Sequence, residues 1–278
     1  MRLFCHTENA MTWLRGIVSI SLCVSVLVAG DTTDARQSAT QDVDARIWLG
    51  RHQEIEEYLR TAECVSSDRP MAGGIPGAMR CTLLPGGPVA RMYWRPMTPG
   101  INRGFWMSYK AEIAVYELDK LLKLDMVPPT VEREFKGARG SMVLWVEKLA
   151  PWKFPDPPPD AIRGQWERQL ARMTMFDDLI GNQVRNAGNM VRDGRWNLIL
   201  LDHVATFRSG AELPSPLTRI DADLWERMQK LSRQQLDTSL RPWLDDNEIA
   251  GILARRERMK TEIDRLIAER GASAVVLR

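Results

Sequence analysis

Two hard oxygen donors sit on either side of a short hairpin in the stretch from Met175 to Phe207: the carboxamide of Asn189 and the carboxylate of Asp202. Such a pair suits a divalent cation such as Mg²⁺, which combines one or two protein oxygens with bound water and substrate phosphates. The loop ahead of them reads Asn182, Gln183, Val184, Arg185, Asn186, Ala187, Gly188, Asn189. Val184 stands where a phosphoryl-transfer site would be expected to place an acid, and valine accepts neither a proton nor a hydrogen bond. Loss of a general base lowers a rate by about 10²–10⁴-fold. Much of phosphoryl-transfer catalysis is positioning and electrostatics, so binding does not require the acid. Asp177 and Asp178 lie one or two helical turns earlier, and nothing in their spacing makes either a substitute.

Other side chains offer less chemistry. His6 falls in an apolar N-terminal segment, His52 in a polar helix, and His203 reads as a packing or supporting residue beside Asp202. There is no Ser-His-Asp pattern, zinc-ligand spacing or dinucleotide fingerprint. Gly73, Gly74 and Gly77 fit a loop covering phosphates and equally a plain hairpin turn. The basic run near the C-terminus alternates with acids, as on a solvated helix face.

The elements that must position these residues follow from periodicity. Residues 43–61 repeat apolar positions at helical spacing, and the segment 64–84 reads as two short strands about a Gly-rich turn. "PVARMYWRP" is a third strand, stopped by Pro96. "GFWMSYKAEIAVYELDKLLKL" (104–124) is the clearest helix of the first half, and "VPPTVE" and "GSMVLWVEKL" are extended. The Pro-rich "PWKFPDPPPD" (151–160) reads as a connection without regular structure. Helix is expected over 162–180, then the Asn-rich loop, a hairpin turning at Asp193-Gly194, and the strand "WNLILLDH". Two helices, 221–240 and 246–270, complete the chain. The expected organisation is a β-rich first lobe (42–150), the connection (151–160) and a helical second lobe (161–278), an α+β two-lobed plan.

The chain has 278 residues, 44% of them hydrophobic, and a net charge of +2. That is ample for a large core, and the near balance of charge argues against a nucleic-acid partner. Ten tryptophans read as core anchors. Residues 1–30 end in the uncharged run "GIVSISLCVSVLVAG" closed by Ala29 and Gly30, which reads as a signal peptide. Residues 31–41 read as a polar linker. The expected location is exported, periplasmic or extracellular, and the alternative is an uncleaved N-terminal membrane anchor. Cys5 and Cys23 lie in the signal segment. Cys64 and Cys81 form an even pair about the Gly-bearing turn, read as one cross-strand disulfide, with two buried thiols as the alternative.

Three stretches in order, "SYKAEIAVYELDKLLKLDMVPPTVE", "GSMVLWVEKL" and "FDDLIGNQVRNAGNMV…LILLDHVATF", give a resemblance over roughly residues 50–210. The chain resembles the atypical protein-kinase-like superfamily, which includes the secretory-pathway casein kinases, HipA-type bacterial kinases and type II phosphatidylinositol 4-kinases, and an exported bacterial branch of that fold. The resemblance implies a strand cation that contacts nucleotide phosphates and pairs with a helix Glu. The matching positions are Arg95, where the family usually has Lys, and Glu112. In the catalytic loop the family reads Asn-x-Asp-Arg-Asn-x-Gly-Asn. Here Arg185 matches the Arg, Asn189 the metal-ligand Asn, and Val184 replaces the Asp. Asp202 matches the metal-binding acid. The resemblance thus implies an ATP- and Mg²⁺-binding fold, with Arg95, Glu112, Asn189 and Asp202 at the cofactor. It implies an impaired kinase or pseudokinase, whose acceptor would be a protein or small-molecule hydroxyl, or a remodelled site that transfers another group. The alternative is a non-enzymatic, partner-binding module.

Overall fold

A computed structural model describes residues 44–69, 77–152 and 157–278. The signal segment, the linker, Gly73, Gly74 and residues 153–156 of the Pro-rich connection lie outside the described residues.

Helix α1 (His52–Thr61) buries Ile55 and Leu59 on one face. It starts later than the periodicity suggests. Residues 47–50 form a turn that ends at Gly50 with φ +73°, and the fully buried Trp48 hangs from that turn rather than from a helix.

A five-stranded antiparallel sheet follows, with strands β1 (Cys64–Asp68), β2 (Met79–Leu83), β3 (Arg91–Arg95), β6 (Thr130–Phe135) and β7 (Ala138–Leu144) in the order β1-β2-β3-β7-β6. The period-two alternation of β3 decides what each face does. Met92 and Trp94 are buried with Trp48, Ile55 and Leu59 in one apolar cluster, while Arg91, Tyr93 and Arg95 line a cleft. Register pairs Tyr93 with Val143 and Arg95 with Ser141. A Cβ on Gly140 of β7 would come within 2.5 Å of the Arg95 carbonyl oxygen, so only glycine permits this approach of β7 to β3. Cys64 and Cys81 are joined by a disulfide between β1 and β2, with Cα atoms 5.5 Å apart.

The segment "GFWM", expected to open the long helix, is instead a turn glycine followed by a strand. Gly100–Asn102 (β4) and Phe105–Met107 (β5) pair about Arg103 (φ +51°) and Gly104 (φ +82°), two left-handed residues as a tight hairpin turn requires. Helix α2 (Tyr109–Leu122) begins only at Ser108, whose hydroxyl accepts from the Lys110 N–H. At its other end, Asp119 accepts the backbone N–H groups of Asp125, Met126 and Val127 and holds the exit turn.

Beyond the sheet lies a largely helical half. Ala150–Pro151 (β8), Met190–Arg192 (β9) and Leu198–Leu200 (β10) form a small sheet, so the start of the Pro-rich connection is regular after all. Helix α3 (Arg163–Ile180) ends at Gly181 in the left-handed conformation. Ile220–Asp221 (β11) pairs in parallel with Val276–Leu277 (β12). The helix expected over 221–240 is two: α4 (Ala222–Gln229) and α5 (Arg233–Leu240). The break has a local cause, since Ser232 and Gln235 make a reciprocal capping box that starts a new helix. Asp245 and Glu248 do the same for α6 (Asp246–Arg270), and a short α7 (Ala272–Val275) follows. The buried face of α2 joins α3 through α6 in the larger of the hydrophobic clusters. Among the described residues no helix is long and apolar enough to cross a membrane.

Candidate functional site

Strand β3 ends at Arg95 because Pro96 has no N–H to continue the ladder. This places the guanidinium at the inner end of the cleft. Its Nη1 lies 2.8 Å from Glu112 Oε1 and 2.7 Å from Asp202 Oδ1. Glu112 projects from the first turn of α2, which is anchored from both sides: the Ser108 N–H donates to the Val204 carbonyl and the Tyr109 N–H to that of Met97. Glu112 Oε1 also accepts the backbone N–H of His203 at 2.5 Å. Asp202 has φ +62°, a left-handed conformation strained for a residue with a Cβ. The four residues Arg95, Glu112, Asp202 and His203 thus converge on one end of the cleft.

The electrostatics follow from burial and pairing. Glu112 is 4% exposed. Burial pushes its carboxyl up, against the pull of Arg95. Burial also works against charge on Arg95, but the carboxylates of Glu112 and Asp202 outweigh it and hold the guanidinium above its ordinary range. Burial, with Arg185 and Arg95 nearby, drives the His203 imidazole well below its usual range, so it is neutral at pH 7. Its Nε2 lies 2.9 Å from Arg185 Nη2. Arginine can only donate, so the ring proton sits on Nδ1.

Arg185 is the hub beneath the loop. Its Nε and Nη2 make a bidentate pair with Asp177 at 2.8 Å each, and its Nη1 donates to the carbonyls of Asn189 (3.1 Å) and Leu201 (3.0 Å). Asn182 donates to Asp177 Oδ1 and accepts the Val184 N–H, which fixes Val184 half-buried in the loop. Asn186 folds over a 3-10 turn (Ala187–Asn189) by accepting the Gly188 N–H. The Leu201 N–H donates to the Asn189 carbonyl at 3.0 Å, which ties Asn189 to the residue before Asp202. Asp177 and Asn182 are structural members whose partnership with Arg185 and the loop the sequence analysis did not assign. The signal was present, because the acid sits one helical turn and a loop before an Arg, but no local rule pairs them. Asp178 points elsewhere and accepts the Ser215 N–H.

The cleft encloses about 500 Å³ between the sheet and the β9–β10 hairpin. Val127, Val143, Leu149, Val191, Leu200 and Leu201 make its apolar part. At its mouth Arg91 pairs with Glu147, and the Arg91 guanidinium lies 5.5 Å from the centre of the Trp145 ring. An apolar slot with convergent charge at one end is the general form of a small-molecule site.

A cation fits the donor set in a limited way. Asp202 Oδ2 and the Asn189 carboxamide make no hydrogen bond among the described residues, and both are hard oxygens. No group of three His, Cys, Asp or Glu side chains among the described residues could hold a metal ion. A cation here would therefore draw the rest of its shell from water and from the phosphates of a ligand.

No protein-family model and no curated protein matches the sequence. Solved structures do. The Golgi casein kinase superposes with a TM-score of 0.60 at 14% identity, covering 90% of each chain. Hydra Fam20 with sugar gives 0.60 at 14% identity over 84% of this chain and 98% of the other. The Golgi casein kinase with Mn/ADP bound gives 0.59 at 14% identity over 87% of this chain and 85% of the other. The chain therefore has the atypical protein-kinase-like fold, an α+β architecture with an antiparallel sheet followed by a helical half, as the resemblance implied.

Proposed function

We propose that this protein is a nucleotide-binding pseudokinase. It takes ATP, or a related nucleotide, with Mg²⁺ in the cleft between the five-stranded sheet and the β9–β10 hairpin. The observation that carries the reading is the single nitrogen of Arg95 shared between Glu112 and Asp202 at the end of an apolar slot. The base packs in the slot and the phosphates reach Arg95, whose fork of donors suits phosphate oxygens. Asp202 and Asn189 hold the cation. When bound, the cation neutralises phosphate charge. Arg185 and Asp177 keep the loop in place without touching the ligand, and Val184 offers no acceptor for a hydroxyl proton. An exported setting suits the apolar run at 16–30 and the Cys64–Cys81 bridge.

The test is thermal shift with ATP and Mg²⁺, followed by intact-mass measurement after incubation with ATP. Wild type is expected to be stabilised by the nucleotide and to gain no phosphate, and Asp202→Ala to lose the Mg²⁺-dependent part of the shift. Val184→Asp restores the missing acceptor and is expected to acquire phosphotransfer to itself or to an added hydroxyl substrate. Phosphate on the wild-type chain would overturn the pseudokinase reading. A flat response to ATP in wild type would remove the nucleotide.

A further inference from the structure

On the helical half of the molecule, a second cavity of about 590 Å³ shares no lining residue with the cleft. Its walls come from the N-terminal turn, α3, the segment before β11 and the chain end. The ionisable side chains that line it are Arg46, Arg168, Arg172, Arg219, Arg278 and Glu167. Five arginines line the space with Glu167, and Asp44, Asp221 and Asp223 stand behind them, so the cluster carries one more cationic side chain than anionic ones.

The carboxylates that pair with these arginines stand mostly outside the cavity. Asp221, fully buried, and Asp223 accept from Arg168 at 2.8 Å each, and Asp221 lies 3.2 Å from Arg172 Nε. Asp44 accepts from Arg46, and neither it nor Asp221 nor Asp223 lines the space. These acids fix the guanidiniums in place, while many of their donors stay free. Arg219 makes one hydrogen bond, to Glu167. The Nε of Arg219 is buried without a hydrogen-bond partner, the Nε of Arg172 has only its contact with Asp221, and the Arg278 side chain is exposed. A buried donor left unpaired is destabilising unless something else satisfies it.

We infer that this cavity binds a small polyanion bearing at least two phosphate groups. Arginine forks match phosphate oxygens in pairs, and arginines already braced by carboxylates lose little rotamer entropy on binding. The volume suits a ligand between a sugar phosphate and a nucleotide in size. The site is independent of the nucleotide cleft.

The probe is tripolyphosphate without magnesium, titrated calorimetrically into the full chain at fixed ionic strength. Saturable binding near one equivalent is expected in wild type and equally in Arg95→Gln, which removes the cleft's guanidinium, is measured below its own melting temperature, and touches no residue that lines this cavity. The pair Arg172→Gln with Arg219→Gln is expected to weaken binding at least tenfold. Arg172 also faces Asp221, whose carboxylate caps α4. Arg278→Gln, an exposed change with no such partner, is therefore the second variant, expected to weaken binding severalfold at unchanged melting temperature. Co-sedimentation with neutral vesicles carrying a bisphosphorylated inositol lipid distinguishes sources. Capture that depends on Arg219 and Arg278 assigns a lipid headgroup, and no capture with soluble binding intact assigns a free phosphate ligand. The inference is overturned if tripolyphosphate does not saturate, if both sets of arginine variants bind like wild type, or if Arg95→Gln abolishes binding while its circular dichroism matches wild type.

Discussion

Arg95 Nη1 stands 2.7 Å from Asp202 Oδ1 across 107 residues of sequence. The same nitrogen meets Glu112 Oε1, so one guanidinium ties the sheet, α2 and the segment after β10 together. Glu112→Gln keeps the shape but removes a charge from a buried pair. It is expected to destabilise the protein by about 1.5–3 kcal/mol, the range for hydrogen bonds to charged groups. Urea denaturation checks this, and an unchanged midpoint would mean that Asp202 alone suffices for Arg95.

Arg185 makes five contacts with four residues from beneath the loop. A lysine keeps the charge but cannot form the fork to Asp177 while reaching two carbonyls. Arg185→Lys is expected to lose about 2–4 kcal/mol, because Asp177 stays buried with half its partner gone. The readout is urea unfolding together with the chemical shifts of His203, whose Nε2 loses its donor.

Cys64 and Cys81 are 17 residues apart, and the bridge restricts the unfolded chain more than the folded sheet. Cys64→Ser is expected to lower stability by about 3 kcal/mol on a chain-entropy account. Wild type in reductant should fall to the same melting temperature, and intact mass before and after alkylation verifies the bridge.

Burial pushes the Asp178 carboxyl up to about 7, against the Ser215 N–H it accepts. An unfolded aspartate titrates near 3.9. Between these values the folded state holds a proton that the unfolded state has released. The stability from this group is therefore full below about pH 4 and is lost as pH rises through 7. Comparing urea midpoints at pH 5 and pH 8, Asp178→Asn should remove roughly 2 kcal/mol of the decline seen in wild type. A constant offset from placing an amide N–H₂ at the unpartnered Oδ2 position leaves that slope difference intact.

Arg95, Glu112 and Asp202 were legible in the sequence through the resemblance, and the structure shows the local features that fix their places. Arg95 precedes a proline, Glu112 lies four residues after a helix-capping Ser108, and Asp202 follows a short apolar strand. The resemblance matched them position by position, and the fold brings Arg95, Glu112 and Asp202 within hydrogen-bond range. Asn189 does not line the cleft, and it meets that region only where its carbonyl accepts the Leu201 N–H. What the sequence concealed depended on tertiary pairing or on competition between local signals. The "GFWM" stretch carries helix-compatible residues, but Arg103-Gly104 favours a tight turn and draws it into a hairpin. The helical periodicity of 221–240 hides a capping box that breaks it. The Asp177–Arg185 fork and the five-arginine cavity draw on separate segments, and no spacing rule connects those.

Gly140 makes the geometry of the cleft answerable to a residue that never enters it. A single methyl there would wedge β7 away from the carbonyl of Arg95 and swing the guanidinium off its two carboxylates. Chains sharing this cleft geometry should therefore carry a bare backbone at that position, however far their cleft-lining side chains have drifted.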